Sequence, residues 1–214
     1  MKTSLIAAFA GGAALTALLV VALAAAPEPA TRPLAVQDAD AAQPSPDDML
    51  AQMEAEAKYT KPGEEHKQLE RFLGTWDTSM TITGMPMSLP GKTTFRKLLD
   101  GYFIIGEGST PIPMMGDSKT VTILGYDKFK LSYVSAMMST MDTALRTAEG
   151  DLTRDGKSLL IYGTLDEYLT GEHDKMVKYA WRFPSDDKLV LEVHDLPIGE
   201  ENTKVVEVVF TRAQ

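Results

Sequence analysis

The feature that most constrains this chain is a change of period at Gly74. From Trp76 onward, Trp76, Thr78, Met80 and Ile82 alternate with Asp77, Ser79, Thr81 and Thr83, which gives an extended segment one apolar and one polar face. Similar short segments recur to the end of the chain, at about 93–99, 102–107, 120–125, 130–138, 143–149, 158–165, 176–183, 188–194 and 204–212. Turn chemistry separates them: Asp100-Gly101, Asp127-Lys128, Arg154-Asp155-Gly156, Thr170-Gly171, Ser185-Asp186-Asp187 and Gly199-Glu200-Glu201-Asn202. No helical period follows Leu73. The expected fold is all-β, a closed antiparallel up-and-down barrel of about ten strands, because closure removes the exposed edges of a meander. A two-sheet sandwich is the competing arrangement.

Ahead of the strands, Glu64 to Leu73 reads as a short helix with Leu69, Phe72 and Leu73 on one side and Gly74 as its stop, placed to cap the barrel. Pro62-Gly63 separates it from an earlier helix with Ser45 as N-cap, Pro46 at the first position and Asp47 and Asp48 in the first turn. That helix carries only a thin apolar stripe of Met49, Leu50 and Met53, so residues 45–62 are expected to lie on the surface. Residues 27–44, rich in Pro and Ala, read as a solvated linker, and residues 63–214 as the barrel domain.

The N-terminus addresses the compartment. Ser4 to Ala26 is uncharged and follows Lys2, so residues 1–26 read as a signal peptide, cut after Ala22-Leu23-Ala24, or as an uncleaved N-terminal anchor. Either reading exports the domain to the periplasm or cell envelope, with membrane contact only through residues 4–26 if they are retained. The net charge of −9 becomes −10 without that segment, whose only charged side chain is Lys2. Such a surface argues against nucleic acid, which needs a basic face. The chain has no cysteine, which excludes disulfides, thiolate nucleophiles, Cys-bound metals and a lipidated cysteine.

Two strands define the expected interior. Val177, Tyr179, Trp181 and Phe183 share one face, and Val206, Val208, Phe210 and Arg212 share another. Tyr179, Trp181, Phe183, Val206, Val208 and Phe210 are therefore the expected ligand-binding lining, with Arg212 the one charge on that register. In a closed barrel the first and last strands are neighbours, so Arg212 is expected over Trp76, as structural closure at the capped end.

A helix followed by Gly74-Thr75-Trp76 at a strand head, with a last strand ending Thr211-Arg212, resembles the lipocalin and fatty-acid-binding (calycin) signature. Pro62-Gly63-Glu64-Glu65-His66, Leu73-Gly74-Thr75-Trp76, Leu124-Gly125-Tyr126-Asp127, Glu149-Gly150 and Phe210-Thr211-Arg212, in this order, resemble an uncharacterised bacterial family, domain of unknown function 1579. The resemblance covers about residues 62–212 and implies a lipocalin-like barrel, with no activity or site residue attached.

Chemical signatures are sparse. His66, on the capping helix, and His173, in a turn, are expected at the surface. His194 invites comparison with nitrobindin-like haem barrels, but it shares a register with Lys188, Val190 and Glu192, opposite Leu189, Leu191 and Val193, and so points outward. Met85, Met87, Met114, Met115, Met137, Met138 and Met141 cluster at strand ends or loops, as a pliable barrel mouth or as soft ligands for Cu(I). There is no nucleophile elbow, phosphate loop or zinc-protease helix, and the acidic pairs Asp166-Glu167 and Glu200-Glu201 read as solvated loops, so no catalytic residue or metal ligand is assigned. The expectation is an exported barrel that binds a small apolar ligand. The alternatives are a barrel enzyme (an isomerase or haem-dependent activity), a Met-based copper binder and a ligand-free interaction module.

Overall fold

The computed structural model describes residues 45–214 except 115, 169 and 197–202; the expected leader and linker lie outside the described residues, as do Met115 and Glu200-Glu201. The alternating segments form ten strands: β1 (Gly74–Ile82), β2 (Ser88–Leu98), β3 (Phe103–Ile112), β4 (Gly116–Asp127), β5 (Ser132–Ser139), β6 (Arg146–Leu152), β7 (Ser158–Glu167), β8 (Glu172–Ser185), β9 (Lys188–Asp195) and β10 (Thr203–Arg212). Each pairs antiparallel with its chain neighbours, and β1 also pairs with β10, with Trp76 opposite Arg212. The sheet is a closed barrel rather than a sandwich. β2 begins earlier than the sequence reading put it and runs through Pro90. That proline pairs with Ser79 of β1 but lies beyond the last β2–β3 pair, Lys92 with Ser109, so its missing N–H interrupts no ladder on that side.

Helix α1 (Pro46–Thr60) buries no residue. Its N-terminus is held by local chemistry: the Asp48 N–H donates to Ser45 Oγ at 3.2 Å, and the Asp48 carboxylate accepts from the Ser45 N–H and hydroxyl at 3.2 and 2.7 Å. The cap is not one helix from Glu64 to Leu73. Helix α2 (Glu64–Gln68) tightens into a 3₁₀ turn over Leu69–Phe72. Residues three apart eclipse in a 3₁₀ turn, so Leu69 and Phe72 point the same way, into the barrel, where they are 2% and 1% exposed.

Phe72 is the plug of the closed end. Its ring meets Trp181 at 5.0 Å, and Phe95 and Phe183 at 5.5 Å each. The edge-to-face pairs with Trp181 and Phe183 each add about 0.5–1.5 kcal/mol to the burial of the rings themselves. The Trp76 indole N–H donates to the Phe72 carbonyl at 2.7 Å, which ties the cap to the strand it precedes. Arg212 closes the same end. Its guanidinium carbon stands 4.2 Å from the Trp76 ring centre, while Nη1 donates to Leu73 O and Nη2 to Asp186 O. Gly74 has φ of +118°, and a Cβ there would sit 2.6 Å from Arg212 Nη1, so only glycine allows this approach.

His66 corrects the surface expectation: it is buried. Its Nδ1 accepts the Gly63 N–H at 3.1 Å and its ring packs edge-on against Tyr126 at 5.9 Å. The Tyr133 hydroxyl donates to Glu65 O, and Lys128 Nζ to Lys61 O. The cap is thus seated on β4, β5 and the turn between them.

Candidate functional site

Because the strands alternate in direction, the turns after β1, β3, β5, β7 and β9 gather at the end opposite the cap. Among the described residues no helix covers that end. The register identifies what lines the lumen there. Met80, Met137, Val193, Val206 and Val208 point inward, yet they are only partly buried. Near the uncapped rim these inward side chains meet solvent through the mouth, whereas the core of the capped half is packed by aromatic rings, with a groove of about 410 Å³ left at its rim between Arg71, Gly156, Phe183, Asp186 and Arg212.

The expected lining divides between these halves. Tyr179 and Trp181 border a small cavity together with Thr122, Ser135, Met137, Arg146, Ala148, Ile161 and Leu191. It holds about 20 Å³, on the order of one water. Val206 and Val208 form the inward wall of β10 on the open side. Phe183 and Phe210 do not border the cavity. Both pack in the aromatic cluster of the closed end, Phe210 against Trp181 at 5.4 Å and Phe183 against Phe72. Phe183 also carries Arg71, whose guanidinium lies 4.8 Å from its ring centre.

Arg212 is not the only charge on the inward register. Arg146 lies opposite Met137, on the face shared by Ala148 and Leu152, and its side chain is 12% exposed. It pairs with Asp142, 7% exposed, from the β5–β6 turn. The other Asp142 carboxylate oxygen accepts the Ala144 N–H at 3.0 Å, so the turn is folded to aim this carboxylate at the guanidinium. Lys175 of β8 and Asp195 of β9 form a second inward pair at 2.8 Å nearer the mouth. The Tyr179 hydroxyl is buried with no hydrogen-bond partner among the described residues, and burial pushes its pKa up, so it remains a proton donor at neutral pH. Parity within Arg146, Ala148, Gly150 and Leu152 was the available sequence signal for Arg146. Nothing local marks Asp142, which a turn delivers.

The remaining histidines lie away from the lumen. His173 is exposed, near Asp166. His194 faces outward beside Glu192, with Nε2 3.5 Å from its carboxylate, and cannot reach a group held inside the barrel. Burial pushes the Glu192 carboxyl up, but Arg182, His194 and Lys204 around it more than offset this and hold it below the usual carboxylate range. Asp166 and Glu167 end β7 rather than standing in a loop, and Asp166 accepts the Asp174 N–H at 3.1 Å. Among the described residues, no three His, Asp or Glu side chains are grouped to hold a metal ion.

Four exposed methionines of the loops share one end. Met85 and Met87 lie in the β1–β2 turn, Met114 in the β3–β4 turn and Met141 in the β5–β6 turn, all at the open mouth and all exposed.

Among solved structures, the chain is similar to the crystal structure of Rv2717c from M. tuberculosis, with 12% identity and a TM-score of 0.50, covering 72% of this chain and 100% of that one. A redesigned β-barrel is similar at 10% identity and a TM-score of 0.37, covering 68% of this chain and 94% of that one. At these identities the likeness to Rv2717c concerns the fold alone. No curated protein matches the sequence. The family described as "Protein of unknown function (DUF1579)" matches over residues 61–212, which is most of the chain and the whole of the barrel, and the protein belongs to that family.

Proposed function

We propose that this protein is an exported carrier that holds a small apolar molecule in the open half of its barrel. The observation that carries the reading is the division of the lumen. Aromatic side chains pack the capped half, while the inward aliphatic and thioether groups of the other half, Met80, Met137, Val193, Val206 and Val208, remain in contact with solvent. Water-exposed apolar walls in a concavity gain roughly 25 cal/mol per Å² when a ligand covers them. The methionines around the mouth suit such a role, since an unbranched thioether adapts to ligands of different outline. Export rests on the uncharged run from Ser4 to Ala26 behind Lys2.

One observation favours a second reading. The cavity beside Tyr179 holds only about 20 Å³, so a ligand larger than a water has to occupy the lumen on its open side. A barrel that never fills this lumen would serve as an interaction module. Native mass spectrometry of the protein purified from its own host, with release and identification of what it carries, separates the two. A stoichiometric small apolar molecule is the expected result. A clean apoprotein mass refutes the carrier reading in favour of the module, and bound haem or copper would replace it with a cofactor-dependent one.

A further inference from the structure

We infer that the floor of the open lumen is a polar anchor, formed by the Tyr179 hydroxyl and the Arg146–Asp142 pair, which selects apolar ligands that carry an uncharged oxygen acceptor such as a ketone, ester or alcohol. This rests on the reading that the lumen takes a ligand.

Tyr179 is 6% exposed and its hydroxyl has no partner among the described residues. A buried hydroxyl without a partner costs stability, and a carrier recovers that cost when its ligand supplies an acceptor. Tyr179 borders the same small cavity as Arg146, Ser135 and Thr122, against the apolar walls of Ile161, Trp181 and Leu191, and its hydroxyl is fully buried beside it. Gly163 stands in register between Ala148 of β6 and Val177 of β8, so no side chain projects from β7 at the level between Arg146 and Tyr179. The guanidinium spends one N–H on Asp142, and its other N–H groups bond to no described residue.

Charge decides the class of head group. Asp142 neutralises Arg146 at contact distance, so the floor as a whole carries no net charge. A carboxylate entering it would lose its hydration and meet the Asp142 carboxylate as well as the arginine, with no net field to repay the desolvation. A neutral carbonyl or hydroxyl oxygen can accept from Tyr179 and the free edge of Arg146, and it brings no charge for Asp142 to repel or for the site to desolvate. A plain hydrocarbon leaves those donors unpaired.

Three probes of equal chain length test this on the full chain: undecane, 2-undecanone and undecanoate at neutral pH, titrated while following tryptophan emission, because Trp181 borders the cavity. The ketone is expected to bind tightest. Tyr179→Phe is expected to weaken the ketone by about tenfold, the usual worth of one buried hydrogen bond, and to leave undecane unchanged. It should not lower the urea midpoint, since the hydroxyl has no partner to lose. Undecanoate as the tightest ligand, equal affinity for all three, an unchanged ranking in Tyr179→Phe, or a marked loss of stability in that variant overturns the anchor alone. Failure of every probe to bind overturns the lumen reading, and the anchor with it.

Discussion

Replacing Arg212 by alanine tests whether the closed end is held by one side chain acting on three separate segments. Its guanidinium donates to Leu73 O at 3.0 Å, at the junction of the cap and β1, and to Asp186 O at 2.7 Å, in the β8–β9 turn. It also covers the Trp76 ring at 4.2 Å and meets Asp187 at 3.1 Å. The Asp187 pair is exposed and contributes little. The cation–π contact at a part-exposed site is worth about 1 kcal/mol. Each charge-assisted bond to a carbonyl is worth about 1.5 kcal/mol at the low end of its range, the appropriate end because Asp186 can be rehydrated. The expected loss is therefore on the order of 3–4 kcal/mol. The chain has two tryptophans, Trp76 and Trp181, and both are buried near Phe72, so their emission during urea unfolding reads this end directly. Arg212→Lys keeps the charge but replaces the planar fork by a point charge, and should recover less than half of the loss. A loss below about 1 kcal/mol in Arg212→Ala would refute the reasoning, since it is less than one of the hydrogen bonds alone. Wild-type stability in Arg212→Lys would show that charge near Trp76 suffices and the fork geometry contributes nothing.

Three further outcomes follow from the same geometry. Burial, with a smaller contribution from Lys128, holds the His66 imidazole below its usual value despite Glu65, and a protonated ring cannot accept the Gly63 N–H. The unfolded chain then binds more protons than the native state, so stability present above about pH 6.5 is lost as pH falls, and His66→Phe should flatten that part of the urea-midpoint profile; identical slopes in both proteins would contradict it. A Cβ at Gly150 would lie 2.1 Å from the Leu160 carbonyl oxygen, which is backbone and cannot swing away. Gly150→Ala should cost on the order of 2 kcal/mol in the same assay, and a neutral effect would mean that β6 and β7 can separate freely. Deleting Pro46–Thr60, none of which is buried and whose Tyr59 meets the Phe129 ring at 5.7 Å, should change barrel stability by less than about 1 kcal/mol, and a larger fall in thermal midpoint would show that this exposed edge-on contact holds the barrel.

Much of the architecture was legible because a strand carries its orientation in its own parity. Val177, Tyr179 and Trp181, and Val206, Val208 and Phe210, face the lumen as their alternation implied, and the resemblance of the chain's ends to a calycin pattern agreed with closure between β1 and β10. Parity also contained Arg146, although a strand of Arg, Ala, Gly and Leu on one face does not advertise a buried cation.

The rest depended on partners distant in sequence. His66 was expected at the surface of a helix running from Glu64 to Leu73, and it is buried because Tyr126 of β4 meets its ring. Leu69 and Phe72 reach the core through a 3₁₀ turn that a helical period does not encode, and the fit of Phe72 among Phe95, Trp181 and Phe183 stabilises it. The unpaired Tyr179 hydroxyl and the neutralisation of Arg146 by Asp142 are products of packing as well. Local sequence sets which face a side chain takes. What stands opposite that face, and so whether a hydroxyl or a charge finds a partner, is set by strands that meet only when the barrel closes.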